Sequence, residues 1–252
     1  MPTLPDTKLD DWLNTPQGKY VMDWASVRCK QAIADTFGFN ALQIGLPNHD
    51  LLIGNRIPLH LCVGETGSVN LCASLTQLPV DGQSIDLIIL PFALEFTESP
   101  HELLREIERV LRPEGQLVII GFNPWSLWGA WRWVKRLLAA LFRTPLPVPW
   151  QGRYFSIPQL RDWLKLLGFE VERGAFGCYA PPCRSSKTLK RLHFLELAGD
   201  RWWCFAGGTY LLRAIKRVPG MRLIKPWSTL KRPATALNPS IPRVLRKEQH
   251  DD

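Results

Sequence analysis

Residues 78–123 read LPVDGQSIDLIILPFALEFTESPHELLREIERVLRPEGQLVIIGFN and contain one complete strand–helix–strand unit. Asp86-Leu87-Ile88-Ile89-Leu90 is a continuous apolar run, the pattern of a strand buried on both faces. Ser99, Pro100 and Glu102 open a helix as N-cap, first helical residue and capping-box acid. Leu103, Leu104, Ile107, Val110 and Leu111 give that helix its apolar stripe, and Pro113 with Gly115 closes it. Residues 116–121, QLVIIG, form a second buried strand. Strands joined through a helix at this spacing form a right-handed βαβ unit of an open α/β sheet.

Upstream, residues 20–37 space Val21, Trp24, Val27, Ile33, Ala34 and Phe37 as an amphipathic helix ended by Gly38. Residues 39–44 form a buried strand that enters a turn at Gly45. Two further strands are expected at 59–63 and 69–73. The five residues between them permit a hairpin but hardly the dozen-residue crossover of a βαβ unit. Downstream, residues 125–142 form a helix with Leu127, Trp131, Val134, Leu138 and Leu141 on one side and Arg132, Lys135 and Arg136 on the other. Pro145, Pro147 and Pro149 then break the chain. Ser156 caps another helix that Gly168 stops, residues 169–172 alternate as a strand, and residues 202–215 supply the last strand. Gly207-Gly208 marks a bulge or a close backbone approach. Beyond Pro219 a basic, disordered tail is expected.

The chain has 252 residues, 46% of them hydrophobic, enough for one sizeable core. Residues 1–121 carry 8 Lys/Arg against 15 Asp/Glu, and residues 122–252 carry 23 against 8. So basic a second half points to an anionic partner, such as RNA or an acidic membrane surface; no DNA-binding motif is present. The six cysteines form no C-x-x-C pair, so no metal site is expected. No stretch approaches the length of a spanning helix, and a cytoplasmic location follows, with peripheral membrane contact left open.

Residues 78–123 closely resemble the second half of class I S-adenosylmethionine-dependent methyltransferases of the type 11 kind. Leu78-Pro79, Asp86, the run from Arg109 to Gly115 and Gly121-Phe122-Asn123 all fall in register with that family. Residues 156–171 resemble its helix and strand before the terminal hairpin. The resemblance implies an α/β fold with a doubly wound, mostly parallel, Rossmann-like sheet, reduced around strands 2 and 3, with an antiparallel last hairpin. It divides the chain into an N-terminal helical segment (1–38), a methyltransferase-like domain (39–218) with a Trp-rich lid insertion (123–155), and the tail (219–252).

The same resemblance implies S-adenosylmethionine as methyl donor, held by Gln43, Gly45, Leu46, Glu65, Ser74, Leu75 and Pro91. Glu65 matches the acid that takes both ribose hydroxyls, and Ser74 stands where the family places an Asp for the adenine amino group. The loop after the first strand departs from the pattern. Gln43 replaces the acid, one glycine survives, and Pro47 removes a donor. Glu95 is the implied catalytic group, with Phe92, Phe96, Asn123, Trp125 and Trp128 at the acceptor. The function implied is methyl transfer to an apolar or anionic acceptor. The eroded loop sets against it a methyltransferase-derived, non-catalytic module that binds RNA or an anionic membrane. For the Trp-rich helix three roles stand open: lid, membrane-interface element, or core packing.

Overall fold

The computed structural model describes residues 6–65, 69–183, 185–192, 195–196, 199, 201, 203 and 205–217. The tail expected over 219–252 lies outside them. In chain order the elements are α1 (Asp6–Leu13), α2 (Pro16–Ile33), β1 (Asn40–Ile44), β2 (Leu59–Gly64), β3 (Leu71–Cys72), β4 (Ile85–Pro91), α3 (Ala93–Phe96) and α4 (Pro100–Val110). They continue with β5 (Leu111–Phe122), α5 (Leu127–Phe142), α6 (Ile157–Leu166), β6 (Phe169–Gly177), α7 (Ser186–Arg191) and β7 (Thr209–Lys216). The sheet runs β3-β2-β1-β4-β5-β7-β6, with β7 antiparallel to both its neighbours and the other pairs parallel. Strand order reverses between β1 and β4, which makes the crevice at their carboxyl ends the place where such sheets bind ligands.

The residues that carry the βαβ unit brace one another. Glu106 Oε1 accepts the Leu78 N–H at 2.8 Å, and the Arg109 guanidinium donates to the Leu78 and Val80 carbonyls at 3.2 and 2.9 Å. Asp86 Oδ2 accepts from the Phe39 and Asn40 amides at 2.7 and 3.0 Å, while Oδ1 pairs with Arg112 at 3.0 Å. Arg109 and Asp86 thus fix the start of β1 and the turn before β4, at the strand ends opposite the crevice.

Several sequence expectations shift. The helix read over 20–37 is α2, which begins at Pro16 behind Thr15 as N-cap and ends at Ile33. Phe37 lies outside it and is exposed. Gly38 serves a close approach instead of a cap, since a Cβ there would meet Asp86 Cγ at 2.6 Å. The hairpin expected at residues 59–73 is corrected: β2 and β3 pair in parallel, Val63 with Leu71 and Gly64 with Cys72. Because β3 has only two residues, the chain retreats by only about 7 Å before pairing, and no helical crossover is needed. β5 begins five residues before the expected Gln116, at Leu111. β7 begins at Thr209 and not at 202. Gly207 and Gly208 do mark a close approach, where added Cβ atoms would lie 2.7 Å from the Gly177 backbone and 2.8 Å from Trp128 Nε1.

Apolar side chains fill both faces of the sheet. On one, α4 and α6 cover Leu42, Ile44, Ile88 and Leu90. On the other, α1, α2 and the base of α5 cover Ala41, Leu87, Ile89 and Val118. No helix joins β1 to β2; residues 45–58 cross that face as an irregular loop. Among the described residues no helix is long and apolar enough to cross a membrane.

Candidate functional site

The loop after β1 is organised around Gln43, whose side chain is buried on the face that α1 and α2 cover. Its Nε2 donates to the carbonyls of Gly45, Leu46 and His49 at 3.1, 3.0 and 2.7 Å, and its Oε1 accepts from the Leu51 N–H at 2.9 Å. The carboxamide is needed for this, because only a group with both donor and acceptor serves both ends of the loop. The consequence is a loop drawn inward, with Leu46 held at φ +51°. From outside, Asp10 of α1 accepts from Asn48 Nδ2 at 2.6 Å and faces His49 Nε2 at 3.8 Å. Burial raises the Asp10 carboxyl above its ordinary range, and the Asn48 and His49 contacts oppose that rise.

Gly45 is the point at which this backbone can be approached. It sits at φ +85°, and a Cβ there would meet only Ala93 Cβ, at 3.9 Å. Glu65 follows β2 directly and is exposed, as is Ser74, whose hydroxyl lies 3.1 Å from that of Thr76. Leu75 is half-buried against the core, and Pro91 is buried at the end of β4 beside Ile120 of β5. An exposed carboxylate past β2, an approachable glycine past β1 and an apolar side chain past β3 fit an adenosine with a charged tail. The Gln43-locked carbonyls do not add a donor-rich cradle for that tail.

Past β4, Phe92 holds φ +55° and is fully buried. A non-glycine residue in the left-handed region is a store of strain that its surroundings must impose. They do so through rings: Phe92 stacks on Phe122 at 4.7 Å, Phe122 stacks on Tyr154 at 5.1 Å, and Trp12 meets Phe122 edge-on at 5.9 Å. Beneath the rings lies Glu95, 3% exposed, whose Oε1 accepts the Phe122 N–H at 2.8 Å while Oε2 has no hydrogen-bond partner among the described residues. Burial pushes its carboxyl up to about 8, outweighing the hydrogen bonds from backbone N–H groups, so it holds a proton at neutral pH. Gly121 makes the approach available, since a Cβ there would lie 2.5 Å from the Tyr210 hydroxyl and closer still to Glu95 Oε1. The Tyr154 hydroxyl is likewise enclosed without a hydrogen-bond partner among the described residues, and the Arg132 guanidinium stands 4.7 Å over the Tyr154 ring. Arg132 donates to the Gly152 carbonyl at 2.6 Å, and burial lowers its pKa, with Arg136 adding to the effect.

The acceptor residues named from the sequence fall into two groups. Phe92, Phe96 and Trp128 gather with Glu95 over the carboxyl ends of β4 and β5. Asn123 is there too, but its Nδ2 donates to the Phe205 and Gly207 carbonyls at 2.8 and 2.9 Å and its Oδ1 accepts from Trp125 N at 3.0 Å, so the side chain pins the start of α5 to the chain before β7. Trp125 points away, 79% exposed. Sequence reasoning missed Tyr154, Arg132 and Trp12. Only the structure shows that α1 and the 146–154 segment close over the ends of β4 and β5.

Outside the ring cluster runs a groove of about 600 Å³, lined by Trp12, Gln17, Trp131, Lys135, Val148 and Trp150 among others. Trp12 and Trp150 belong to both: each packs on Trp128, at 6.2 and 5.8 Å. The groove therefore reaches the outer surface of the cluster that covers β4 and β5. Lys135 stands at its edge, 5.6 Å from the Trp131 ring. Among the described residues no cluster of His, Cys, Asp or Glu suits a metal ion.

Comparison with known proteins places this geometry. Residues 59–119 match the profile of the family described as Methyltransferase domain. YafS of Escherichia coli (strain K12), an uncharacterized protein, is 33% identical over 164 residues, which is 64% of this chain and 65% of YafS. The demethylmenaquinone methyltransferase of Chlamydia pneumoniae is 34% identical over 65 residues, 26% of this chain and 27% of that protein. The chain thus matches just under two thirds of the first relative's length and about a quarter of the second's. A solved S-adenosylmethionine-dependent methyltransferase of Thermotoga maritima superposes with a TM-score of 0.55 at 16% identity, over 79% of this chain and 92% of that one, a likeness of fold. With its strand order and its antiparallel last hairpin, the chain has the fold of class I S-adenosylmethionine-dependent methyltransferases, and residues 59–119 within it match the methyltransferase-domain profile.

Proposed function

We propose that the chain is an S-adenosylmethionine-dependent methyltransferase whose acceptor is an apolar molecule with an anionic group. The observation that supports this most is the groove that ends on the ring cluster over β4 and β5, with apolar walls and Lys135 at its edge. In this reading Glu65 takes the ribose hydroxyls, Ser74 and Leu75 flank the adenine, and Gln43, Gly45, Leu46 and Pro91 border the methionine end. When bound, S-adenosylmethionine supplies an electrophilic methyl group on sulfur for direct displacement. The chain's share is alignment and exclusion of water. Trp12 and Trp150 form the inner apolar wall, backed by the buried Trp128 with Phe92 and Phe96 in the same cluster; Asn123 sets the start of α5, and Glu95 fixes the backbone at Phe122 through its hydrogen bond. The name of the Chlamydia relative, a demethylmenaquinone methyltransferase, is in keeping with an apolar acceptor.

A second reading, a non-catalytic module that binds RNA or an anionic membrane, is favoured by one observation: Gln43 turns three loop carbonyls inward where a donor-rich cradle is wanted. Titration calorimetry with S-adenosylmethionine and S-adenosylhomocysteine, controlled with ATP, separates the two. Methyl transfer requires micromolar, adenosine-selective binding, and Glu65→Ala is expected to weaken it by about tenfold, the worth of a carboxylate bonded to two hydroxyls. No heat with either ligand at millimolar concentration excludes the enzyme reading. Unchanged affinity in Glu65→Ala removes Glu65 from the site.

A further inference from the structure

Helix α5 is amphipathic in the wrong sense for an ordinary surface helix. Placed around its axis at about 100° per residue, Trp128, Gly129 and Arg132 fall on one side, and they are the residues the protein buries. Leu127, Trp131, Val134, Leu137, Leu138 and Leu141 fall on the opposite side and are exposed, Leu137 and Leu141 by more than 70%. Surface helices of water-facing domains place apolar residues inward and polar ones outward. Here a cation is turned in and a leucine–tryptophan face is turned out.

The flanks carry the second observation. Lys135 and the exposed Arg136 lie on the half of the helix away from the apolar face, Lys135 toward one border and Arg136 between Gly129 and Arg132; Arg143 follows the helix, and the sequence has no Asp or Glu between Glu114 and Asp162. The region is therefore purely cationic where it meets solvent. Tryptophans bracket the apolar face, with Trp125 ahead of the helix and Trp133 at its edge, both more than 70% exposed. Apolar residues outward, long cationic side chains above them that can reach along the helix to phosphates, and tryptophans at the rim match a helix lying in the headgroup region of a bilayer. At 16 residues the helix is about 24 Å long, enough to lie along the interface but too short to span it.

We propose that α5 docks the protein on an anionic lipid bilayer, its Leu/Trp face entering the acyl boundary and Lys135, Arg136 and Arg143 meeting lipid phosphates. Charge complementarity selects this occupant. A second copy of the chain would bring the same cations against themselves, and a neutral apolar partner would leave them unmatched. The docking stands on α5 alone and does not depend on cofactor binding.

Flotation of the full chain with vesicles tests it, comparing phosphatidylcholine alone with phosphatidylcholine containing about a third phosphatidylglycerol. Wild type is expected to float with the anionic vesicles and not with the neutral ones. Leu137→Asp/Leu141→Asp changes exposed side chains only, so it should keep the wild-type melting temperature and lose binding by at least about tenfold, since each buried leucine contributes that order of affinity. Arg136→Glu/Arg143→Glu should lose binding to a comparable degree and remove its salt dependence. The proposal fails if wild type stays unbound, if neutral vesicles bind as well as anionic ones, or if the leucine variant still floats. It also fails if sedimentation shows a wild-type dimer that the leucine variant converts to monomer, which would make the face a contact between copies.

Discussion

Gln43→Glu, the change that restores the acid implied by the family resemblance, is expected to destabilise the protein by ~3–5 kcal/mol at pH 8. The substitution replaces one NH2 by an oxygen, yet that NH2 is the donor to the Gly45, Leu46 and His49 carbonyls, all within 3.1 Å. A carboxylate there sets acceptors against acceptors in a site that is 2% exposed. It relieves the conflict only by taking up a proton, which raises its folded-state pKa above the unfolded value of about 4.3. The sign follows: stability is retained below the unfolded pKa and is lost as pH rises through the folded one. Urea unfolding at pH 5 and pH 8 should therefore show a large deficit at the higher pH that shrinks at the lower. Gln43→Leu should show a deficit of similar size with no pH dependence, because its cost is three orphaned carbonyls and one orphaned N–H. A Gln43→Glu protein within about 1 kcal/mol of wild type at pH 8 would mean that the loop is not built on this side chain.

That prediction marks the line between what the sequence disclosed and what it withheld. The strand–helix–strand order of residues 78–123 was legible because it is written in local spacings such as the Ser99–Pro100 helix start, although Leu111, Pro113 and Gly115, read as the end of the helix, fall in β5. Gln43 was legible as a departure from the family, but not as the peg of its own loop, since its partners at residues 45, 46, 49 and 51 have no pattern that names a donor. The parallel β2–β3 pair was misread because the crossover rule assumes strands of ordinary length and β3 has two residues. The helix over 125–142 was legible as amphipathic, yet periodicity cannot tell which face the protein covers. Trp128 alone among its tryptophans went inward, and Arg132 went with it. Trp12 and Tyr154 were not legible as neighbours of the site because they lie 80 and 62 residues from Phe92, and only the closing of two separate segments over the strand ends brings them there.

Glu95→Gln is expected to be more stable than wild type by ~2–4 kcal/mol near pH 8 and nearly equal to it near pH 4.5, a gain produced by removing a titration and not by adding a contact. In wild type, burial holds the carboxyl near 8, while in the unfolded chain it titrates at an ordinary value. Between those limits the unfolded state releases a proton that the folded state keeps. The folded pKa is raised, so wild-type stability is greatest below the unfolded pKa and falls as pH rises toward 8. A carboxamide has nothing to release. Its Oε1 still accepts from Phe122 N, and its NH2 takes the place of the partnerless Oε2, near enough to Tyr154 and Tyr210 for their hydroxyls to be within the carboxyl's field. Thermal unfolding of both proteins from pH 4.5 to 8.5 checks this; parallel profiles would mean that Glu95 is ionised in the folded state. If Glu95 serves methyl transfer as a base, turnover must rise with pH toward 8 in wild type and lose that rise in Glu95→Gln. If it serves only to position Phe122, the carboxamide keeps both the rate and its pH profile, and the stability difference is its sole signature.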